Sequence, residues 1–288
     1  MESDLDTTWD DMAANFDCWG TPLRPPVDAV QSYGRLLARW AGNERRIRSA
    51  LLFGVTPELA LADWPVPMHL TAIDRSEPML RRVWPGDLAG QRQGIVGDWM
   101  THRPSQPPDL VLTDGAPVFY AHPEELFACA RRLLADHGAL LVRTFCAPSA
   151  REELGAVLAD ARAGQIENFH VLKWRTAMAL QSEASSGVVQ HTVWHTLTTA
   201  GLDFAALPQP GFSDRAVSTL RFYEGKRARL HFPTLEAYRC ALRSVFAQVE
   251  VDVPTGLFGT QCPVFIATGR ARSSVRSSHT VLTPDESP

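Results

Sequence analysis

Between Leu51 and Phe145 the chain repeats one pattern: a short apolar run, a turn or an acid, then a helical stretch. Ser49-Ala50-Leu51-Leu52-Phe53 breaks at Gly54-Val55-Thr56-Pro57-Glu58, and His69-Leu70-Thr71-Ala72-Ile73 ends on Asp74. Gly94-Ile95-Val96-Gly97 delivers Asp98-Trp99, and Asp109-Leu110-Val111-Leu112-Thr113 ends in Asp114-Gly115. Ala139-Leu140-Leu141-Val142-Arg143 follows a helical stretch and Gly138. Strands of this kind alternating with helices require a parallel sheet covered on both faces. An acid ending the second strand, about 20 residues past a turn glycine, is where doubly wound folds hold a ribose by its hydroxyls. Asp98 with Trp99 at the next junction suits an adenine, which needs an acceptor for its amino group and a flat face beneath it.

Each of these residues also has a plainer reading. Asp74 could be an exposed helix-capping acid ahead of Ser76-Glu77, and Asp98 a surface acid beside a core tryptophan. Met79, near the start of the second crossover helix, either packs on the adenine or fills core. Gly54 lets the first loop turn beneath a ligand. Thr56 offers a hydroxyl there, and Glu58 an acceptor for an ammonium. Equally, Thr56-Pro57-Glu58 starts a helix well, with proline at a permitted place and an acid favoured by the dipole.

The series resembles the class I S-adenosylmethionine-dependent methyltransferases, in the subset whose first loop reads Gly-Val-Thr-Pro-Glu-Leu. The resemblance spans roughly residues 19–269. It sets Gly54 to Leu59, Asp74 to Leu80 and Gly97-Asp98-Trp99 where that family contacts its cofactor. The usual first motif carries an acid and two or three glycines; here one glycine precedes Thr56-Pro57. Fewer glycines give less close backbone approach, which suits a sulfonium nucleoside better than a pyrophosphate. The resemblance implies a doubly wound α/β fold: a mostly parallel seven-stranded, Rossmann-like sheet, with a helical lid inserted before the last helix and two strands. It implies S-adenosyl-L-methionine as cofactor. It also makes Asp114 a contact at the edge where the methionine end and the acceptor meet.

At 288 residues the chain accommodates one large α/β domain with an insertion. Hydrophobic content of 45% and charged content of 21% are ordinary for a globular enzyme. The net charge of −4 argues against nucleic acid as a partner, a basic patch over 221–229 notwithstanding. The acidic opening (Glu2, Asp4, Asp6, Asp10, Asp11) and the absence of a long apolar run fit a cytoplasmic protein without a membrane span. Five scattered cysteines without metal-like spacing read as reduced thiols.

The segments divide as an N-terminal cap and helix (1–48), a cofactor-binding core (49–147), a lid and acceptor-binding insertion (148–231), the remainder of the core (232–270) and a disordered tail (271–288). Residues 1–18 are expected to be partly ordered at best, with an amphipathic helix over Val27 to Trp40. Helices are expected over 58–62, 78–83 and 123–136. In the insertion they are expected over 151–162, 168–181 and 188–200, before a strand-like Thr219 to Tyr223. Thr234 is expected to cap a helix over 235–246, ahead of an antiparallel pair at 248–253 and 263–268.

For chemistry, His122 is the candidate general base, since its ordinary pKa lies near neutrality, or else an exposed loop histidine. Asp114 is the second catalytic candidate. Arg24 either pairs with a ligand carboxylate or is solvated, and Tyr33 could join it. Phe119, Tyr120, Trp174, His191 and His195 are candidates for the acceptor pocket. His191 and His195 lie four apart on one helical face, but no third ligand is evident, so metal is not expected. Trp174, Trp194, Phe204 and Phe212 either line an apolar cavity or pack the insertion. The expected activity is in-line methyl transfer to a small-molecule acceptor. The rivals are a catalytically inert nucleoside- or partner-binding relative and an NAD(P)-dependent oxidoreductase, the latter lacking its G-x-G-x-x-G. Pairing as a homodimer stays open.

Overall fold

The computed structural model describes residues 9–42, 45–207 and 209–271. Residues 1–8, with Glu2, Asp4 and Asp6, and the expected tail from 272 onward lie outside them.

Seven strands form one sheet: β1 (Ser49–Phe53), β2 (His69–Asp74), β3 (Arg92–Val96), β4 (Leu110–Asp114), β5 (Ala139–Arg143), β8 (Gln248–Asp252) and β9 (Val264–Thr268). Their order is β3-β2-β1-β4-β5-β9-β8. The first five run parallel, with Ala50 beside both Leu70 and Leu110, while β9 enters antiparallel between β5 and β8. This is the mostly parallel, doubly wound, seven-stranded Rossmann-like sheet expected from the sequence.

Alternation along β1 explains why its whole run is apolar. Ala50 and Leu52 face one layer, where Tyr33, Leu36 and Leu37 of α1 (Val27–Ala41) pack with Leu110 and Leu112. Leu51 and Phe53 face the other, meeting Phe127 and Leu133 of α4 (Glu124–Leu133) and Tyr238 and Leu242 of α9 (Leu235–Val245). A central strand covered on both sides has no face left for polar residues. Between the strands, the crossovers α2 (Pro57–Ala60) and α3 (Glu77–Arg82) are one or two turns each. Ser76 caps α3 through Met79 N, and Thr234 caps α9 through Ala237 N at 3.2 Å.

The insertion has its own core. Helices α5 (Leu154–Arg162), α6 (Phe169–Leu180) and α7 (Gln190–Thr199) pack with a short antiparallel pair, β6 (Val188–Val189) and β7 (Arg229–Leu230). Helix α6 is buried on nearly every side, so its hydrophobic residues do not form a stripe. One expectation is corrected. Thr219–Tyr223 is a 3-10 turn, not a strand. It continues α8 (Asp214–Ser218), and the Thr219 hydroxyl donates back to the Ala216 carbonyl at 2.6 Å. The segment before residue 19 is structured where described: 9–14 are helical and Phe16–Cys18 form a 3-10 turn. That helix is held by Ser76 Oγ donating to Asp10 at 2.6 Å, and by the Trp9 ring against Phe119 at 5.6 Å.

Candidate functional site

The carboxyl ends of the parallel strands open onto a cavity of about 430 Å³. Such a volume lies within the range of small-ligand sites, and the tips of parallel strands are where open α/β sheets place them. Phe53, Gly54, Thr56 and Glu58 enter it from the first loop, Asp74 and Met79 from the second junction, and Asp98 and Trp99 from the third. Asp114, Phe119 and Tyr120 border it after β4, and Trp174 borders it from the insertion.

Gly54 holds φ at +85°, a conformation that strains any side chain, and a Cβ built there would lie 3.8 Å from Asp74 Oδ2. The loop therefore passes close to the Asp74 carboxylate. Asp74 is buried, and its Oδ1 accepts from the Ser76 amide at 2.8 Å. At the next tip, Asp98 accepts from Met100 N at 2.8 Å and pairs with Arg75 at 2.6 Å. Trp99 is stacked on Phe53 at 5.5 Å, and its indole N–H donates to the Tyr120 hydroxyl at 3.3 Å.

Toward β4 and β5 two ion pairs border or underlie the cavity. Arg24 pairs with Glu58 at 2.5 Å, and the second Glu58 oxygen is buried without a partner among the described residues. Two sequence candidates thus meet each other, although 34 positions separate them. Asp114 is held by the fully buried Arg143, whose Nη2 donates to Oδ2 at 3.1 Å. Arg143 also donates to the carbonyls of Pro22 at 2.9 Å and Leu23 at 3.3 Å, tying the N-terminal segment to the sheet.

Several expectations change here. Asp114 is locked in a buried pair with Arg143, which gives it a structural part in the floor. Tyr33 does not reach the cavity: it is fully buried, donates to Thr113 O at 2.7 Å and accepts from Arg143 N at 2.9 Å. Burial first, and then the Asp114 charge, push its hydroxyl pKa well up. His122 is exposed outside the cavity, on the side of His231, because the chain turns outward before α4. His191 and His195 are exposed as well, since α7 turns Val193 and Leu197 inward. His191 accepts from Gly225 N at 3.0 Å and stacks on Trp194 at 5.0 Å. Among the described residues no cluster of three His, Cys, Asp or Glu could hold a metal ion.

The residues that sequence reasoning missed come largely from the N-terminal segment. Trp9, Met12, Phe16 and Trp19 all border the cavity. The spacing of Trp9, Met12 and Phe16, three and then four apart, is a helical apolar face and was the available signal. Arg75, Phe145, Gln190 and Tyr223 are further members. Only the path of the insertion brings the last two in.

No protein-family model matches the chain, and no curated protein does. Solved structures do resemble it. A protein of Rhodobacter sphaeroides, given as a candidate Zn-dependent alcohol dehydrogenase, superposes with a TM-score of 0.57 at 14% identity, over 92% of this chain and 98% of that one. The plantazolicin methyltransferase BpumL, solved with a pentazolic analog and SAH, gives 0.48 at 10% identity, over 93% and 98%. The S-adenosylmethionine-dependent methyltransferase SibL gives 0.43 at 14%, over 84% and 57%. The first likeness extends to the fold alone, and the weaker superpositions on the two methyltransferases add no argument.

Proposed function

We propose that this chain transfers a methyl group from S-adenosylmethionine to a small molecule. The observation that carries the proposal is the convergence of Asp74 and Asp98, from neighbouring strand ends, on one cavity with the Gly54 loop. A buried carboxylate needs polar partners, and two acceptor oxygens at Asp74 suit the vicinal hydroxyls of a ribose. The unpartnered Glu58 oxygen suits an ammonium, so the acidic lining and this orphaned atom fit the amino-acid end of the cofactor.

When bound, S-adenosylmethionine supplies an electrophilic methyl carbon on a sulfonium. What the chain adds is position and dryness. Asp74 holds the sugar, Asp98 receives the purine amino group, and Met79 and Trp99 pack the ring. Glu58 takes the ammonium while Arg24 stays available to the carboxylate. The Arg143–Asp114 pair fixes the floor beneath them. The apolar side chains of Trp9, Met12 and Phe16 line the cavity, and a low-polarity wall favours an in-line displacement that depends on orientation. No protein nucleophile is required.

Calorimetry with S-adenosylmethionine, S-adenosylhomocysteine and NAD, followed by methyl-release assays on pooled metabolites, tests the reading. Binding of the first two with methyl release is expected. Preference for NAD would replace the reading with an oxidoreductase, and binding without release on any pool would leave an inert relative. Asp74→Ala should lower nucleoside affinity at least tenfold, about 1.4 kcal/mol; an unchanged dissociation constant would misplace the ribose.

A further inference from the structure

The sheet order separates the cavity into two sides. The adenosyl candidates lie over β3, β2 and β1, whereas the side beyond β4 and β5 is walled by Phe145, Trp174, Tyr223 and Trp19. This second side is aromatic. Phe145 stacks on Trp174 at 4.7 Å, and Trp174 meets Phe232 edge-on at 5.0 Å. The Trp174 indole N–H is buried with no partner, and the Tyr223 hydroxyl makes no hydrogen bond among the described residues. Both are donors awaiting an acceptor. The wall offers no general base: Asp114 is paired with Arg143, and burial pushes the Tyr223 hydroxyl well up, so it stays protonated.

Behind the wall lies a buried amine without a counter-ion among the described residues. Lys173 is fully buried, and its Nζ sits 4.4 Å from the Trp19 ring centre and 4.8 Å from that of Tyr223. Its one hydrogen bond is to Thr219 Oγ1 at 3.5 Å, and no carboxylate among the described residues pairs with it. Tyr223 and His170 are the titratable groups beside it. His170, one turn earlier on α6, is held neutral, its pKa lowered to about 3 by burial and by the Lys173 charge. A buried cation enclosed by ring faces and lacking an acid is costly on its own and favours an anion nearby.

We propose that the acceptor is a small planar phenol bound as its phenolate, with the oxygen received by Trp174 and Tyr223 and Lys173 acting as the positioning residue whose charge favours the ionised form. This rests on the methyltransferase reading and names its substrate class. The phenolate oxygen lone pair forms the new bond to the methyl carbon, the carbon–sulfur bond breaks, and its electron pair passes to sulfur. The acceptor's proton leaves to water before transfer, so the absence of a base in the wall has no cost. Burial alone lowers the Lys173 pKa to about 7, and an anion in the cavity opposes that shift.

The test uses the whole protein saturated with S-adenosylhomocysteine and two probes, 4-nitrophenol and 7-hydroxycoumarin, with their methyl ethers as neutral counterparts. Calorimetry is expected to show the phenols binding at least tenfold tighter than the ethers. The absorbance midpoint for ionisation of bound 4-nitrophenol should fall by about one pH unit, a tenfold shift. Lys173→Met should abolish that shift while leaving S-adenosylhomocysteine affinity within about twofold. Trp174→Phe, which keeps the ring and removes the N–H, should weaken the phenols and leave the ethers unchanged. Equal affinity for phenols and ethers, an unmoved midpoint, or a shift that survives in Lys173→Met overturns the proposal. If S-adenosylhomocysteine itself fails to bind, the methyltransferase reading fails first, and the two failures are told apart.

Discussion

Two buried cations in this protein behave differently because only one has an acid. Arg143 is enclosed but satisfied: Asp114, two backbone carbonyls and the Phe145 ring at 5.1 Å surround it. Replacing it by methionine strands the Asp114 carboxylate, and chemical denaturation should show a loss of about 3–5 kcal/mol. The double change Arg143→Met with Asp114→Asn should recover part of that loss, since no buried charge remains. Lys173 has no such acid among the described residues, and burial lowers its pKa to about 7 from the ordinary 10.5. Between those values the unfolded chain binds the proton that the folded chain has released. Stability from this group therefore rises as pH rises through that window. Melting temperatures between pH 7 and about 8.5 should climb in the wild type, and this part of the slope should vanish in Lys173→Met; toward pH 9 the buried thiols of Cys146 and Cys262, pushed up by burial, begin to act in the opposite sense. Above pH 10 the buried tyrosines act in the opposite sense, because Tyr33, Tyr223 and Tyr238 stay protonated in the fold after their unfolded counterparts ionise.

Helix boundaries here follow local chemistry where a cap is present. Thr234 was readable as a cap, and its hydroxyl does accept from Ala237 N at the start of α9. Thr234→Ala should cost about 1 kcal/mol in equilibrium unfolding. Between Thr219 and Tyr223 the same kind of reading gave a strand, because the residue types are β-prone. The preceding helix decides otherwise: α8 is capped by Ser213, and the chain winds on through Thr219. A preference within five residues is weak beside a helix already in progress. In the N-terminal segment, Trp9, Met12 and Phe16 give residues 9–16 an apolar face that needs a surface to cover.

For the molecule as a whole, that segment lines the cavity beside the loops that follow the strands. Trp9→Ala removes the ring that meets Phe119, and it should weaken S-adenosylhomocysteine binding by about tenfold. The melting temperature should change less than for a fully buried core residue, because Trp9 only borders the core layer around Tyr33 and Leu36. A large fall in melting temperature with unchanged affinity would make the helix a stability element instead. What the sequence determined by itself is the sheet and the side of the cavity over β3, β2 and β1. Apolar runs that end in Gly54, Asp74, Asp98 and Asp114 specify strands buried on both faces, and parallel winding brings all their ends to one edge. What only tertiary structure decided is the other side. The pairing of Arg24 with Glu58, the withdrawal of Tyr33 and His122, and the meeting of Trp19 with Lys173 join positions far apart in the chain. No local spacing encodes such contacts; they follow from how an insertion of some eighty residues folds back over the sheet, which depends on packing and not on periodicity.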